Sequence, residues 1–435
     1  MKLTITAAAL ATLAGSVPAA AQMTGYGQSN QQPMQQTPEI PMPYQPSQTA
    51  DQSKQQKQQP QAGGIQPSKH ALKVLVDLQN AVKAKDTANI PAKIAAAQAA
   101  AQTKEDRYLI GELELDAAID AKDNAAAAAA IDAMAATGVS TPAKTAKLYK
   151  GIGELFYQAK QYDKAVAAFS RSAALDPQDY DLLDLIGESY NAAGQKEQAS
   201  TAFLKSIQAR SAAGQKAQEL IYKKALQLAY DARSPNTIDI ARQWIAAYPS
   251  ATAWNDTVGI YRDLNRPDTE GTIDLLRLLR ANNALSTPSE YALYVADAAE
   301  QLNYNEAQAA LDAGIAAHVI DPSNGNFASM ISILRSKQKA TAADLQAAVK
   351  MSPTPVNLLR IGDRYYGMGD YSQAADIYRQ VLTKPGADKD VANLHLGMAL
   401  ARSGDKAGAT AALNSVAGAN SGIAKLWLLY VQTHA

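Results

Sequence analysis

Four histidines, His70, His318, His395 and His434, are the first residues that could do metal or proton chemistry. A zinc site needs ligands spaced to converge, as two histidines one helical turn apart do, and no HExxH or paired-His spacing occurs. His395 sits in a helical pattern with no His or acid three or four places on. The run Asp321-Pro-Ser-Asn-Gly325-Asn lacks the acids at the third and fifth places and the terminal Glu of a calcium loop, and reads as a turn. Gly151-x-Gly153 falls inside a helical pattern, and Gly25-x-Gly27 has neither strand nor helix around it, so neither meets the context of a dinucleotide loop. No GxSxG is present, and carboxylates such as Glu112 and Glu114 alternate with apolar residues as solvated helix faces do. The expectation is no catalytic residue, no cofactor and no metal site.

Cysteine is absent, which removes disulfides, thiolate metal sites and cysteine nucleophiles together. The 41 basic and 41 acidic residues cancel, and no basic patch points to nucleic acid or anionic lipid. The chain opens MKLTITAAALATLAGSVPAAAQ: a lysine, a short apolar stretch, then Ala19-Ala20-Ala21. That is the pattern of a secretory signal cleaved near Ala21, with an apolar part too short to span a bilayer. The mature chain is expected to be soluble, without a transmembrane segment, in the periplasm or secreted. From Gln22 to Pro67 there are fifteen glutamines and seven prolines with almost no aliphatic residues. Such a stretch buries too little apolar surface to offset its ordering entropy, so residues 22–68 read as a disordered arm.

What would position any site is a repeat. Residues 146–213 are two copies of a 34-residue unit, pairing Gly153 with Gly187, Phe156 with Tyr190, Ala165 with Ala199 and Phe169 with Phe203. Tyr149, Ile152, Gly153 and Phe156 fall at i, i+3, i+4 and i+7, one face of a helix, and Ala165, Ala168, Phe169 and Ser172 repeat that spacing. Pro177 stops the second helix. Leu78 to Ala88 and Leu115 to Ala125 match at an offset of 37, which places Ala84-Lys85-Asp86 and Ala121-Lys122-Asp123 as inter-helix turns. Residues 69–140 thus read as Ala-rich hairpins, 214–350 as hairpins with eroded landmarks, and 351–435 as clear units again. Trp244 and Trp254 take core positions, and the last helix, with Trp427 and Leu428, is expected to cap the open end of the stack.

Tyr149, Ile152, Gly153, Phe156, Ala165, Phe169, Ser172 and Pro177 together resemble the tetratricopeptide repeat. Leu183, Ile186, Gly187, Tyr190, Ala199, Phe203 and Ser206 repeat the pattern, with Ser211 in place of the proline. Leu358, Ile361, Gly362, Tyr365, Ala374 and Tyr378, then Leu396, Gly397, Leu400, Ala409 and Leu413, carry it again. The resemblance implies an all-α, right-handed α-solenoid of antiparallel helical hairpins behind the disordered tail. It also implies that the first helix of each hairpin lines a concave face and binds a protein partner.

Carried onto this chain, the exposed positions of that face are Lys147, Lys150, Glu154 and Tyr157; Asp184, Glu188 and Asn191; and Leu359, Asp363 and Tyr366. Glu154, Asp184 and Glu188 would repel the C-terminal carboxylate that some family members clamp. The function expected is a non-catalytic interaction scaffold in the bacterial cell envelope. Glycan handling is the alternative, to be favoured if Tyr157, Tyr190, Tyr365 and Tyr366 cluster in the groove; an enzyme ranks third, and self-association stays open.

Overall fold

The computed structural model describes residues 64–434. The segment read as a secretory signal and most of the stretch read as a Gln/Pro arm lie outside the described residues. What is described is all-α, and it falls into two compact units that divide between Gln178 and Asp179, within the turn between the two 34-residue copies.

The first unit holds α1 (Leu72–Lys83), α2 (Ile90–Ala100), α3 (Lys104–Asp120), α4 (Asn124–Ala136), α5 (Pro142–Gln158) and α6 (Tyr162–Leu175). α1 packs on α2, α3 on α4 and α5 on α6 as antiparallel hairpins, and α4 packs on α5. The Lys85 and Lys122 turns close as the 37-residue offset requires. Asp86 N–H reaches Ala81 C=O and Asp123 N–H reaches Ala118 C=O, each at 2.9 Å, around a left-handed Lys85 or Lys122. That is the Schellman closure of a helix C-terminus. Starts are set by caps: Thr103 and Asp106 exchange side-chain-to-backbone bonds at α3, and Thr141 precedes Pro142 at α5. The Asp106 carboxyl also accepts Ser68 N–H at 2.7 Å; burial pushes its pKa up, but the Ser68 and Gln102 N–H groups outweigh that and hold it at about 2.

The second unit runs through α7 (Asp181–Ala192), α8 (Lys196–Ala212), α9 (Glu219–Asp231), α10 (Thr237–Ala247), α11 (Ala251–Asn265), α12 (Thr269–Ala281), α13 (Pro288–Glu300) and α14 (Tyr304–Ala316). It continues with α15 (Gly325–Ser336), α16 (Ala342–Met351), α17 (Pro355–Gly367), α18 (Tyr371–Leu382), α19 (Lys389–Ser403), α20 (Lys406–Asn414) and α21 (Ser421–Thr433). Hairpins α7–α8, α13–α14, α17–α18 and α19–α20 are the best packed. Each unit that carries the glycine landmark uses it in one way. A Cβ on Gly153 would lie 2.6 Å from the Phe169 ring, and one on Gly187 would lie 2.8 Å from Phe203. Gly362 meets Tyr378 and Gly397 meets Leu413 in the same manner. The missing side chain lets the large residue sixteen places later pack onto the first helix, where an added methyl would overpack.

Trp244 and Trp254 are buried in the core of this unit. The last helix does not behave as an end cap. α21 packs on α19 and α20, as an end cap would, but also on α10 and α12. Trp427 is fully buried, with its indole N–H 3.3 Å from Asp274 C=O, while Leu428 is only half-buried. The reason is its composition: Ile423, Ala424, Leu426, Trp427, Leu429 and Val431 leave little polar face, so the helix is interior rather than capping.

Candidate functional site

Residues 142–158 form α5 because Thr141 caps it and Pro142 is pre-set for a first turn. Its outer positions are those expected. Lys147 is exposed, and Lys150, Glu154 and Tyr157 are half-exposed. Burial pushes the Glu154 pKa up, and Lys150 opposes that. Tyr157 meets Tyr162 of α6 edge-on, with centroids 5.5 Å apart.

On α7, Asn191 is exposed, and Asp184 and Glu188 are half-buried and already paired. Asp184 receives Arg210 Nη2 at 2.7 Å and Ser206 Oγ at 2.6 Å, and Glu188 receives Lys224 Nζ. Their charge is therefore largely neutralised within the unit, and the expected repulsion of anions weakens there. Glu112 is likewise buried against Lys144 at 2.8 Å, and Glu114 accepts from Gln98.

The C-terminal positions are different. Leu359 is half-buried against the core, and Asp363 and Tyr366 are interior, 8% and 7% exposed. The expectation that they face an open groove is corrected: their face of α17 is covered by α12 and α14 of the same chain. Arg277 of α12 is at the centre. It grips Glu306 of α14 through two bonds, Nε to Oε1 at 2.8 Å and Nη2 to Oε2 at 2.7 Å. Its Nη1 reaches Asp274 at 3.0 Å and Asp363 at 3.6 Å, and its guanidinium lies 4.9 Å from the centroid of the Tyr366 ring. His395 of α19 bridges the other side, Nε2 3.2 Å from Asp274 and Nδ1 2.9 Å from Asp363.

Three hydroxyl and amide groups complete the shell. Tyr378 donates to Asp363 and Tyr294 to Glu306, each at 2.7 Å, while the Asn303 amide donates to Glu306 and to the Asp363 carbonyl. Gly367 allows α17 to come this near α14, since a Cβ there would meet Glu306 at 2.6 Å. Burial pulls the His395 pKa down, but Asp274 and Asp363 outweigh it and raise it well above the ordinary value. Burial pushes Asp363 up, and His395 and Arg277 outweigh that to hold it at about 2.

No proximal spacing announces this cluster, because its acids and bases come from helices up to 121 residues apart. One signal was available. Leu394, Leu396, Met398, Ala399 and Leu400 fall on all sides of α19, which marks a buried helix rather than a one-faced one, whereas α12 keeps a charged stripe with Asp274 and Arg277 and reads as one-faced. Among the described residues, no group of three His, Asp or Glu side chains is arranged to hold a metal ion. The Asp321 run is a turn in which Asp321 accepts from Ser323 and Asn324 caps α15. The tyrosine platform does not assemble either, since Tyr365 and Tyr366 are interior and Tyr190 packs against the core.

An all-α chain of paired antiparallel helices, closed by a glycine against a large residue sixteen places on, is a helical-repeat protein. Residues 357–386 match the family model of the tetratricopeptide repeat, so the repeat is present in this chain over that stretch. No curated protein sequence matches. Solved structures similar to it include the TPR2AB-domain:pHSP90 complex of yeast Sti1, at 13% identity over 66% of this chain and 98% of that one, TM-score 0.23. Others are a tetratricopeptide repeat protein from Parabacteroides merdae (12% identity, 74% and 98% coverage, TM-score 0.24) and the apo quorum sensor NprR from B. thuringiensis (12%, 72% and 97%, TM-score 0.23). No partner or activity follows from likenesses at that level.

Proposed function

We propose that this protein is an exported, non-catalytic scaffold that holds a protein partner in the bacterial cell envelope, using the outer face of α5. One observation carries the reading. In the C-terminal units the first-helix positions Asp363 and Tyr366 meet Arg277 of α12, and His395 meets Asp274 of that same helix, so this face is suited to gripping polypeptide. There the grip is used within the chain. On α5 the positions corresponding to Asp363 and Tyr366 are Glu154 and Tyr157, and these, with Lys147 and Lys150, face outward at least in part. Half-buried tyrosine beside mixed charge offers rigid apolar area with a polar tip, as protein-binding surfaces do. Export rests on the N-terminal segment, whose lysine, apolar stretch and alanine site have the order a secretory signal needs.

The test is in-cell crosslinking of the tagged protein, with and without Lys147→Glu/Tyr157→Ala. Capture of one dominant envelope protein, lost in the variant, supports the reading. Undiminished capture removes α5 from the interface, and co-purification of glycan without protein overturns the scaffold itself.

A further inference from the structure

The first unit has a second surface, apart from the outer face of α5. Between α4 and α6 lies an open recess of about 330 Å³. Its sides are two facing stripes at i, i+3, i+4 and i+7: Ala125, Ala128, Ala129 and Asp132 on α4, and Lys164, Ala167, Ala168 and Arg171 on α6. Alanines leave the trough unfilled, and its floor is apolar, made by Tyr149, Ile152 and Phe156 of α5. The rim is basic. Arg171 is bound to Asp132 and lies over the Tyr149 ring at 5.4 Å, while Lys164 lies 5.5 Å from the Phe156 centroid with no carboxylate partner among the described residues.

We infer that this recess takes residues Glu39–Tyr44 of the same chain. Among residues 22–63, Ile40 is the only Ile, Leu or Val, and Glu39 beside it is one of two acids, the other being Asp51. Met42 and Tyr44 lie within four residues of Ile40, whereas the other Met and Tyr residues of that stretch, Met23, Tyr26 and Met34, have no Ile, Leu or Val beside them. Ile40, Met42 and Tyr44 supply the apolar groups that the alanine trough and aromatic floor lack, and Glu39 supplies the carboxylate that Lys164 lacks.

The length of chain outside the described residues is sufficient. Twenty residues run from Tyr44 to Gly64, which at coil dimensions cover about 22–27 Å and fully stretched about 66–72 Å. The path from α1 by way of α3 and α4 to α6 crosses roughly three helix spacings, about 24–30 Å. A tethered segment needs only modest intrinsic affinity, because the linker holds its effective concentration near the millimolar range.

The absence of native cysteine makes the test clean. Ala128→Cys is combined in the full chain with Met42→Cys, or with Gln31→Cys or Gln52→Cys as flanking references, and treated with a short bis-maleimide. The Met42 pair should link about fivefold faster than both references, within one chain, and fall to their rate when Ile40→Asp or Lys164→Glu is added. Circular dichroism confirms that each variant keeps its helices. A Met42 rate lying between the two references means tethering alone and overturns the inference. Linkage appearing only between two chains overturns it in favour of a second copy.

Discussion

His395 and Asp274 lie 3.2 Å apart although 121 residues separate them. This contact, with Arg277 beside it, joins a middle helix to the C-terminal hairpins. It sets a pH dependence whose sign follows from the two shifts. His395 is raised well above its ordinary value, so its stabilisation is full below the unfolded value of about 6.5 and declines as pH climbs through the folded one. Asp363 is held at about 2, so its contribution is present above the ordinary carboxylate value and lost as pH falls towards 2. Urea unfolding between pH 6 and 10 should show an alkaline decline that is flattened in His395→Gln. Equal slopes in the two proteins would contradict the pairing.

Asp116 of α3 works in the opposite sense. Burial pushes its pKa up to about 6, with Glu112 and Asp120 adding to it. A carboxyl so raised destabilises the fold once it ionises, so Asp116→Asn should raise the melting temperature at pH 7.5 and leave it nearly unchanged at pH 4. A variant that stabilises equally at both values would remove this electrostatic account.

Leu302, in the turn between α13 and α14, combines a left-handed backbone (φ 59°) with a side chain 55% exposed. The equivalent turns after α7, α17 and α19 use Gly194, Gly369 and Gly404. Left-handed geometry costs an L-residue about 1–2 kcal/mol, so Leu302→Gly should stabilise the second unit by up to about that amount. Thermal melts read this as a rise of a few degrees, and a fall would show that Leu302 has a packing role.

Tyr157 and Tyr366 were equivalent candidates in the sequence, and the structure separates them. Tyr366→Ala empties an interior site over Arg277 and should cost about 3–5 kcal/mol, as large aromatic deletions do. Tyr157→Ala, half-exposed, should cost far less and act on partner capture instead. Chemical denaturation of both variants distinguishes these outcomes, and similar losses would place Tyr157 in the core as well.

Local geometry was legible in the sequence and long-range closure was not. The glycine and aromatic landmarks of 146–213 and 355–413 fixed hairpins because partner and landmark sit sixteen residues apart, within one unit. The Lys85 and Lys122 turns were likewise readable from a short offset. On α5 the expected outer positions are at least partly exposed, because exposure there follows from helical spacing alone. The expected exposure fails at Asp363 and Tyr366 because what covers them comes from α12 and α14, with Arg277 86 and Glu306 57 residues before Asp363, and nothing in their own repeat records that. The all-round apolar character of α19 and α21 was the trace of the closure.

The central claim, that the C-terminal hairpins hold α12 of their own chain, is tested most directly by a double-mutant cycle between Arg277→Met and Asp363→Asn. Urea unfolding at pH 7 gives all four stabilities. Residues sharing one buried network couple by about 0.5–3 kcal/mol, and the contact predicts a value in the upper half of that range. Additivity within about 0.3–0.5 kcal/mol would mean that the two side chains act independently, and would contradict the claim.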